Sequence, residues 1–535
     1  MTPSAHQYGD TVNTHASTLI SRHVTGSPAL ATFLADVASD PQRTAVIDDR
    51  GATLTRQDLA DASSALADEM HEQGLRVGDV MIICLPNWTE WMVTYVAALR
   101  CGLVPGTLPV TTDPESIAYV ANMVGAKAVA LPRAHRGRDF AAEADIISRS
   151  VGRRIRFLFC EQDESPTWAL ADGAPETAPA YPAGLAHILF SSSTTGKSKA
   201  IAHSESSMDA YNNWIIDRYG ITGEEAIFMP SPLGHSTGFW HGARMSLLTG
   251  ASLVLQDHWD VHTALSLVEA HPCSITVAAT PFLKDLTDAE WTGDTPKLAG
   301  LKTFVCGGAP IPPSLIERAT TELPDTHIAS IWAMSEGGAT SSLPGDSAEL
   351  IAETCGRVMP GVELETISES GVVNPRGVEG EIVMRTPSLF LGYLNQEDLY
   401  RESFTREGYF RTGDLGVVDH DGYLRLTGRL KDLIIRGGVN ISPVDIENAL
   451  IQHPLIAKVA VVGRPDDRLG ERICAVIEPR PGSDLTFVDL VDWLRAESVP
   501  RRLWPESIHL VDAMPQTPAG KIRKNDLRKS LFPTS

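Results

Sequence analysis

The chain has 535 residues, which is too long for one hydrophobic core and predicts two or more domains. Hydrophobic residues make up 43% of the sequence and charged residues 21%, a composition typical of a soluble globular protein. The 67 acidic and 45 basic residues give a net charge of −22, which argues against nucleic acid or an anionic membrane as the main partner.

The sequence contains no obvious targeting or membrane segment. Its start, "MTPSAHQYGDTVNTHASTL", has no basic flank and no apolar stretch of signal-peptide length, and no run of about 18 apolar residues occurs. Seven scattered cysteines without a C-x-x-C pair indicate reduced thiols rather than a disulfide framework or a zinc site. Cys306, beside two glycines, is interpreted as a buried packing residue and not a nucleophile. These features predict a cytoplasmic protein.

Helical and strand patterns alternate over about residues 27–160. "ALATFLADVA" has helical spacing, "VMIICLP" and "AKAVALP" predict buried strands, and "WMVTYVAALRCG" predicts a helix closed by Gly102. The acidic, proline-rich segment 161–184 is interpreted as a linker or surface loop.

A second alternating stretch covers about residues 185–345. "ASLVLQD" and "LKTFVCGG" predict strands that lead into turns, "HTALSLVEAHP" predicts a helix, and this alternation predicts mainly parallel sheets covered by helices. From residue 361 to 427, short runs separated by glycine predict a small antiparallel β subdomain. After Gly428, a helix, two strands and a helix predict an α+β module of roughly 100 residues.

The segment "SSSTTGKSKAIAHS", Ser191–Ser204, contains Gly-Lys-Ser and raises the question of a P-loop. A P-loop needs a glycine five residues before Gly-Lys-Ser and a helix after it, whereas this chain has Ser191 and the strand-like "AIAHS". Another kind of phosphate loop is favoured, because the hydroxyl groups and Lys199 offer donors and positive charge to phosphate oxygens. A serine- and threonine-rich surface turn is the alternative when the segment is considered alone.

Seven stretches, in their order along the chain, resemble the adenylate-forming superfamily of acyl-CoA synthetases, adenylation domains and luciferases. They are "FSSSTTGKSKAIAHS", "PLGHSTG", "CGGAP", "IWAMSEGG", "GYFRTGDLG", "GYLRLTGRLKDLIIRGGVNISPVDIE" and "TPAGKIRK". The resemblance covers nearly the whole chain. Three further stretches, "PLGHSTGFWHGARM", "DHWDVHTALSLVEAHPCSITVAATPFLKDL" and "LWPESIHLVDAMPQTPAGKIRK", are similar to the cyclohexanecarboxylate and aryl-acid CoA ligase branch.

The resemblance implies an α/β fold with two unequal domains. Residues 1–428 would form a large N-terminal domain that binds ATP and the acid, built from two α/β subdomains and a small β-barrel-like subdomain. Residues 429–431 would form a hinge, and residues 432–535 a small, mobile α+β C-terminal domain. A homodimer is the default expectation for the oligomeric state.

By the same resemblance, the Ser191–Ser204 segment is the flexible loop that covers the β- and γ-phosphates of ATP. Its expected phosphate-binding residues are Ser191, Ser192, Ser193, Thr194, Thr195, Gly196 and Lys199. The chain departs from the family pattern at four positions: Ser193, Ala200 and Ala333 replace glycines, and Ser198 replaces a proline. None of these changes removes a charge, so ATP chemistry is expected to survive, while the identity of the acid stays open.

The resemblance also assigns the adenosine and metal contacts. Trp332 would stack on adenine, with a core aromatic as the alternative interpretation. Ser335 would donate to the α-phosphate, and Glu336 would hold Mg²⁺. Asp414 would accept hydrogen bonds from the ribose hydroxyls, with help from Arg429. The residues expected to border adenine or the acid are Gly307, Gly308, Ala309, Pro310, Ala333 and Met334.

The remaining expected site residues lie around the hinge and in the C-terminal domain. Lys431 would sit in the hinge, and Lys521 would bring a positive charge to the carboxylate and α-phosphate, with a solvated surface lysine as the alternative. Gly437 and Gly438 would give passage to the pantetheine arm of coenzyme A. His235 would lie near the acid carboxylate, with a structural hydrogen-bonding role as the alternative.

The implied chemistry has two steps. A small organic acid attacks the α-phosphorus of ATP to give an acyl-adenylate and pyrophosphate, and a thiol, most favourably coenzyme A, then displaces AMP. Lys199, Lys521 and Mg²⁺ would accelerate the reaction by positioning the reactants and stabilising the developing charge. The alternatives are a carrier-protein thiol or an amine as acceptor, including a diazotase that activates nitrite for aromatic amines. A non-catalytic nucleotide-binding protein is disfavoured, because Glu336, Asp414, Lys431 and Lys521 are all retained.

Overall fold

The computed structural model describes residues 26–161, 164–171, 173, 180–192, 198–291, 297–308, 311–516 and 522–532, and Ser192 in its backbone only. Within these ranges no helix is both long enough and apolar enough to traverse a bilayer.

The strands are, in chain order, β1 (Thr44–Asp48), β2 (Thr53–Thr55), β3 (Val80–Ile83), β4 (Val104–Thr107), β5 (Ala128–Pro132), β6 (Ala134–His135), β7 (Arg138–Asp139), β8 (Ile155–Cys160), β9 (Thr167–Ala171), β10 (His187–Ser192), β11 (Ser198–His203), β12 (Ala226–Met229), β13 (Ser252–Leu255), β14 (Cys273–Ala279), β15 (Thr303–Gly307), β16 (His327–Met334), β17 (Gly337–Ser341), β18 (Arg357–Val358), β19 (Glu363–Ile367), β20 (Gly380–Arg385), β21 (Gly392–Tyr393), β22 (Phe410–Val418), β23 (Leu424–Arg429), β24 (Ile434–Arg436), β25 (Val439–Ile441), β26 (Ile456–Asp466), β27 (Gly470–Pro479) and β28 (Ser507–Leu510).

The helices are α1 (Pro28–Ser39), α2 (Arg56–Glu72), α3 (Thr89–Arg100), α4 (Pro114–Met123), α5 (Phe140–Val151), α6 (Glu205–Tyr219), α7 (Ser236–Gly238), α8 (Met245–Thr249), α9 (Val261–Ala270), α10 (Thr280–Asp288), α11 (Pro313–Glu322), α12 (Ala348–Glu353), α13 (Glu397–Glu402), α14 (Val444–Leu450), α15 (Phe487–Ala496) and α16 (Lys524–Leu531). A π-helix, Phe239–Arg244, joins α7 to α8. Short 3-10 turns occupy Leu430–Asp432 and Arg501–Leu503.

Two large sheets form the core of the N-terminal region. One has nine strands in the order β18-β17-β16-β15-β14-β12-β13-β1-β2, and the other has eight in the order β21-β11-β10-β4-β3-β5-β8-β9. Their central pairs are parallel and their edge pairs antiparallel. Both faces of a parallel sheet are covered, so its strands are apolar throughout, as in Val80–Ile83, where all four residues are buried. The predicted architecture of mainly parallel sheets covered by helices is confirmed.

The segment 161–184 is only partly a loop, so its interpretation as a linker or surface loop was incomplete. Residues Thr167–Ala171 form β9, which pairs antiparallel with β8 at the edge of the eight-stranded sheet. The acidic and proline-rich composition of the whole segment obscured this short stretch, "TWALA", which contains neither charge nor proline. Pairing with β9 satisfies backbone groups that β8 would otherwise leave open at the sheet edge.

The C-terminal third is mainly antiparallel, apart from the parallel pair β27 and β28. Strands β19, β20, β22 and β23 form a four-stranded antiparallel sheet, as the glycine-separated runs predicted. The final module contains the predicted helix, two strands and helix as α14, β26, β27 and α15. It also contains the β24–β25 hairpin, strand β28 and helix α16. The domain limits at residues 428 and 432 stay predictions.

All seven cysteines are free, and six of them are buried. Burial raises the pKa of the Cys84 and Cys160 thiols to about 12. Cys306 is 1% exposed in β15, and burial raises its pKa as well, which confirms that it is a packing residue.

Gly234 brings the turn of "PLGHSTG" against the other large sheet. A Cβ built at this glycine would lie 2.0 Å from the carbonyl oxygen of Leu108, which follows β4. Any side chain would therefore push the turn that carries His235 away from the eight-stranded sheet.

We expect Gly234→Ala to lower the free energy of unfolding by about 1–3 kcal/mol, because the added methyl group overlaps backbone that cannot rotate aside. The midpoint of thermal unfolding measures this loss. Gly26→Ala is the control, since a Cβ there meets nothing within 4 Å. Equal midpoints for the two variants would contradict the close approach.

Candidate active site

The predicted phosphate loop connects two antiparallel strands. Ser191 pairs with Lys199 and Ser192 with Ser198, so β10 and β11 are antiparallel neighbours joined in sequence by the Ser/Thr-rich segment. Ser191 and Lys199 are both half-buried. Ser193, Thr194, Thr195 and Gly196, and the side chain of Ser192, lie outside the described residues. The strand predicted for "AIAHS" is confirmed as β11.

Glu336 lies at the turn between β16 and β17 and is 8% exposed. Its Oε1 accepts a hydrogen bond of 2.7 Å from the hydroxyl of Tyr393, and its backbone carbonyl accepts one of 2.9 Å from the Phe390 N–H. Burial and the neighbouring Glu336 carboxylate raise the pKa of Tyr393, so this hydroxyl stays protonated and acts as the donor. Glu336, whose carboxylate is predicted to hold Mg²⁺, is therefore fixed by hydrogen bonds to both its backbone and its side chain.

Asp414 is a buried carboxylate held by two donors. It is 4% exposed and pairs with Arg429 across β22 and β23. Arg429 Nε lies 2.7 Å from its Oδ1, and the indole Nε1–H of Trp332 donates to its Oδ2 at 2.9 Å. Trp332 is 6% exposed and packs in the core, so its observed role is to anchor Asp414. Stacking of adenine on Trp332 stays a prediction.

Lys431 lies in the 3-10 turn Leu430–Asp432, directly after the strand β23 that ends with Arg429. It keeps solvent-exposed surface, yet partial desolvation and then the Arg429 charge lower its pKa. Asp432 and Asp414 oppose this effect, and Lys199 adds to it. The predicted hinge lysine thus shares one electrostatic environment with the phosphate-loop lysine and the buried carboxylate.

The residues expected near the acid are the more accessible ones. Ala333 is exposed at the end of β16, and Met334, Ser335 and His235 are half-buried. His235 precedes α7, and its Nδ1 accepts a long hydrogen bond of 3.4 Å from the Thr237 N–H. Gly307 ends β15, and Gly308 follows it with a positive φ. Ala309 and Pro310 lie outside the described residues.

Gly437 and Gly438 form the two-residue turn between β24 and β25, where Arg436 pairs with Val439. Their φ angles are +59° and +82°, and this hairpin geometry requires a positive φ at both positions. Both are exposed. Lys521 lies outside the described residues.

Two residues at the site were missed from the sequence, His203 and Tyr393. His203 ends β11, and its Nε2 donates to the Ser335 carbonyl at 2.8 Å, because a carbonyl can only accept. Its Nδ1 lies 3.3 Å from the Ser207 hydroxyl, and burial lowers its pKa to about 4. A histidine or tyrosine at the end of an apolar strand is usually a packing residue, so the pattern offered no signal.

The site suits a Mg²⁺ ion shared with a nucleotide better than a metal held by protein alone. Over the described part of the chain, no three His, Cys, Asp or Glu side chains are grouped to hold a metal. Mg²⁺ is commonly bound through one or two carboxylates together with phosphate oxygens and water. The buried carboxylate of Glu336 fits that mode.

Comparison with known proteins gives the family. The sequence model of the AMP-binding enzyme matches residues 33–394, and that of the AMP-binding enzyme C-terminal domain matches residues 445–521. The chain belongs to the AMP-binding enzymes, which form the adenylate-forming superfamily.

Among curated relatives, the chain is 31% identical to medium-chain fatty-acid–CoA ligase of Escherichia coli, covering 95% of this chain and 91% of that protein. It is 30% identical to salicylyl-CoA synthase / salicylate adenylyltransferase of a Streptomyces species, covering 93% of each. These relatives place the chain near the aryl-acid CoA ligases within the superfamily.

Solved structures confirm the fold. ATP-bound MatB from Rhodopseudomonas palustris superposes with a TM-score of 0.81 at 23% identity, covering 94% of this chain and 99% of MatB. The amide bond synthetase McbA from Marinactinospora thermotolerans superposes with a TM-score of 0.79 at 25% identity, covering 94% of this chain and all of McbA. The predicted fold, a mixed α/β structure with a large N-terminal domain and a small C-terminal domain, is thus confirmed.

These matches confirm the predicted superfamily and the class of AMP-forming acid–thiol ligase. They support ATP-dependent activation of an acid through an acyl-adenylate. The roles of individual residues stay predictions.

The buried imidazole of His203 makes stability depend on pH. Its pKa in the folded chain, about 4, lies below the ordinary value of 6.5, so stability is present above pH 6.5 and is lost as the pH falls towards 4. The unfolded chain binds a proton in this interval and the folded chain does not.

We expect His203→Gln to reduce the fall in the thermal midpoint between pH 6.5 and pH 4.5, since glutamine can still donate to the Ser335 carbonyl but does not titrate. The full effect of this histidine is up to roughly 3 kcal/mol. His420→Gln, at an exposed position, is the control. An unchanged pH slope in His203→Gln would show that the histidine is not held neutral.

Proposed function

We propose that the protein uses ATP and Mg²⁺ to convert a small organic acid to its acyl-adenylate, and then transfers the acyl group to a thiol, most favourably coenzyme A. The observation that carries the proposal is that side chains from separate motifs contact one another. Lys199 and Glu336 both contact Tyr393. Trp332, four residues before Glu336, donates to Asp414, which pairs with Arg429 just before Lys431. The names of the relatives, CoA ligases among them, support the thiol as acceptor.

Asp414 is suited to hold the ribose of ATP. The Trp332 indole donates to its Oδ2, and the Arg429 guanidinium reaches both oxygens, with Nε 2.7 Å from Oδ1 and Nη2 3.5 Å from Oδ2. These contacts fix the orientation of the carboxylate. Each carboxylate oxygen can accept a further hydrogen bond, so two ribose hydroxyls can donate to it. Gly307, Gly308 and the outer end of β16 would border adenine and the acid.

Lys199 and the hydroxyl groups of the segment from Ser191 to Thr195 would bind the β- and γ-phosphates. Glu336 would hold Mg²⁺, which neutralises charge on the phosphate oxygens and on the departing pyrophosphate. Because lysine is a mobile point charge and hydroxyls are short donors, this loop can release pyrophosphate after the first step.

In the first step, a carboxylate oxygen of the acid attacks the α-phosphorus, the bond to the bridging oxygen breaks, and pyrophosphate leaves. Lys521 would bring a positive charge to the reacting oxygens, and Ser335 would donate to the α-phosphate. His235 would lie beside the acid carboxylate.

In the second step, a thiol sulfur attacks the acyl carbon and AMP leaves. The C-terminal domain, residues 432–535, would rotate about the hinge 429–431 between the two steps. This rotation would move Lys521 away from the reacting atoms and bring the β24–β25 turn to the site. Gly437 and Gly438 in that turn would leave room for pantetheine. The seven free cysteines fit a reducing cytoplasm.

The proposal is tested by pyrophosphate release over benzoates, cyclic and short-chain acids and nitrite. Each acid is combined with coenzyme A, a phosphopantetheinylated carrier protein, an arylamine or no acceptor. A thioester formed from an acid and coenzyme A is the expected product. Pyrophosphate release that needs an amine would identify an amine as the acceptor in place of the thiol, and release with nitrite alone would identify nitrite as the activated substrate in place of an organic acid. Cleavage of ATP to ADP would overturn the proposal.

We expect Lys521→Ala to reduce the rate of acid-dependent pyrophosphate release at least about a hundredfold, because a charge positioned at the transition state is lost. Lys529→Ala is the control, because this lysine lies exposed on α16 in the same basic tail. Pyrophosphate release at the wild-type rate in Lys521→Ala would rule out the catalytic role.

A further inference from the structure

We propose that Tyr393 is a positioning residue that holds the Mg²⁺-binding carboxylate with its hydroxyl and the phosphate-binding lysine with its ring. The proposal rests on the proposed function, since it assigns a task to a residue beside Glu336 and Lys199. Neither the sequence motifs nor the comparisons assign a role to this tyrosine.

The sheet places Tyr393 beside Lys199. β21 pairs antiparallel with β11, and Tyr393 stands opposite Ile201. Lys199 is two residues before Ile201 on the same strand, so both side chains point to the same face of the sheet. As a result the Lys199 Nζ lies 4.6 Å from the centroid of the Tyr393 ring, within the range of a cation–π interaction.

The other end of the same side chain reaches Glu336. Tyr393 is 5% exposed, and its hydroxyl donates to Glu336 Oε1 at 2.7 Å. A hydroxyl has one proton, so the bond fixes the rotation of the carboxylate and leaves Oε2 for a metal ion. A carboxylate that is already oriented loses less conformational freedom when it binds the metal.

The segment that carries Tyr393 makes a second hydrogen bond to Glu336, this time to its backbone. Phe390 N–H donates to the Glu336 carbonyl at 2.9 Å, and the Phe390 ring packs 4.7 Å from the Tyr393 ring. The segment from 390 to 393 therefore fixes both the backbone and the side chain of the same glutamate. A residue needed only to fill space would not require a hydroxyl at this point.

The arrangement also separates two positive charges. A magnesium ion on Glu336 and the Lys199 ammonium both have to reach one triphosphate, and they repel each other. The ammonium rests on the ring of Tyr393, whereas the carboxylate lies at the hydroxyl end of that ring. One rigid phenol thus sets the spacing between the two groups.

The test compares Tyr393→Phe, which removes only the hydroxyl, with Tyr393→Leu, which removes the ring as well. Tyr400→Phe is the matched control, since its ring packs against the same Phe390. Binding of Mn²⁺ in the presence of α,β-methylene-ATP is measured by electron paramagnetic resonance, which needs no turnover. Binding of the analogue without metal is measured by calorimetry, and thermal midpoints report the folding of each variant.

We expect Tyr393→Phe to weaken Mn²⁺ binding about tenfold and to raise by a similar factor the Mg²⁺ concentration that half-saturates pyrophosphate release, with metal-free binding of the analogue unchanged. Tyr393→Leu should weaken metal-free binding of the analogue as well, because Lys199 loses its contact with the aromatic ring. Tyr400→Phe should change neither Mn²⁺ binding nor metal-free binding of the analogue. Unaltered Mn²⁺ binding in Tyr393→Phe would overturn the inference. A wild-type chain that binds Mn²⁺ and the nucleotide but releases no pyrophosphate with any acid would instead overturn the proposed function.

Discussion

The hydrogen bond from the His203 imidazole to the Ser335 carbonyl joins the two large sheets at the candidate site. β11 of the eight-stranded sheet carries both His203 and Lys199, whereas Ser335 follows β16 of the nine-stranded sheet. The bond therefore sets the distance between the lysine predicted to bind phosphate and the turn predicted to bind Mg²⁺. Since the imidazole is buried and neutral, the connection does not depend on solvent screening, as an exposed ion pair would.

Charge at the site contrasts with charge over the whole molecule. The chain carries a net charge of −22, yet desolvation and the positive charges of Arg429 and Lys199 lower the pKa of Lys431. Asp414 and Glu336 are buried among them and fixed by hydrogen bonds. A triphosphate is attracted to such a local concentration of cations, while the acidic remainder of the surface disfavours other polyanions.

Much of the fold and part of the site follow from the sequence, because they depend on residues close together in the chain. Alternating helix and strand patterns predicted the parallel sheets, and short runs separated by glycine predicted the antiparallel sheet. The run "AIAHS" predicted the strand that excluded a P-loop. The partnership of Tyr393 with Glu336 spans 57 residues and that of His203 with Ser335 spans 132. Such contacts arise from the order of strands within and between sheets, which a single sequence does not specify. The hydrogen bond from Trp332 to Asp414, 82 residues away, is a contact of the same kind, and the stacking of adenine on Trp332 stays a prediction.

The burial of the cysteines has a chemical consequence for an enzyme proposed to bring a free thiol to a reactive mixed anhydride. A protein thiolate near the acyl-adenylate would compete with the acceptor and acylate the enzyme itself. Burial raises the pKa of the Cys84, Cys160 and Cys355 thiols to about 12, so almost none of these sulfurs is ionised at neutral pH. Cys306, on the strand that ends in Gly307, is shielded in the same way although it is the nearest in sequence to the turn predicted to border adenine. The only sulfur nucleophile that such a site meets is then the one that the acceptor brings.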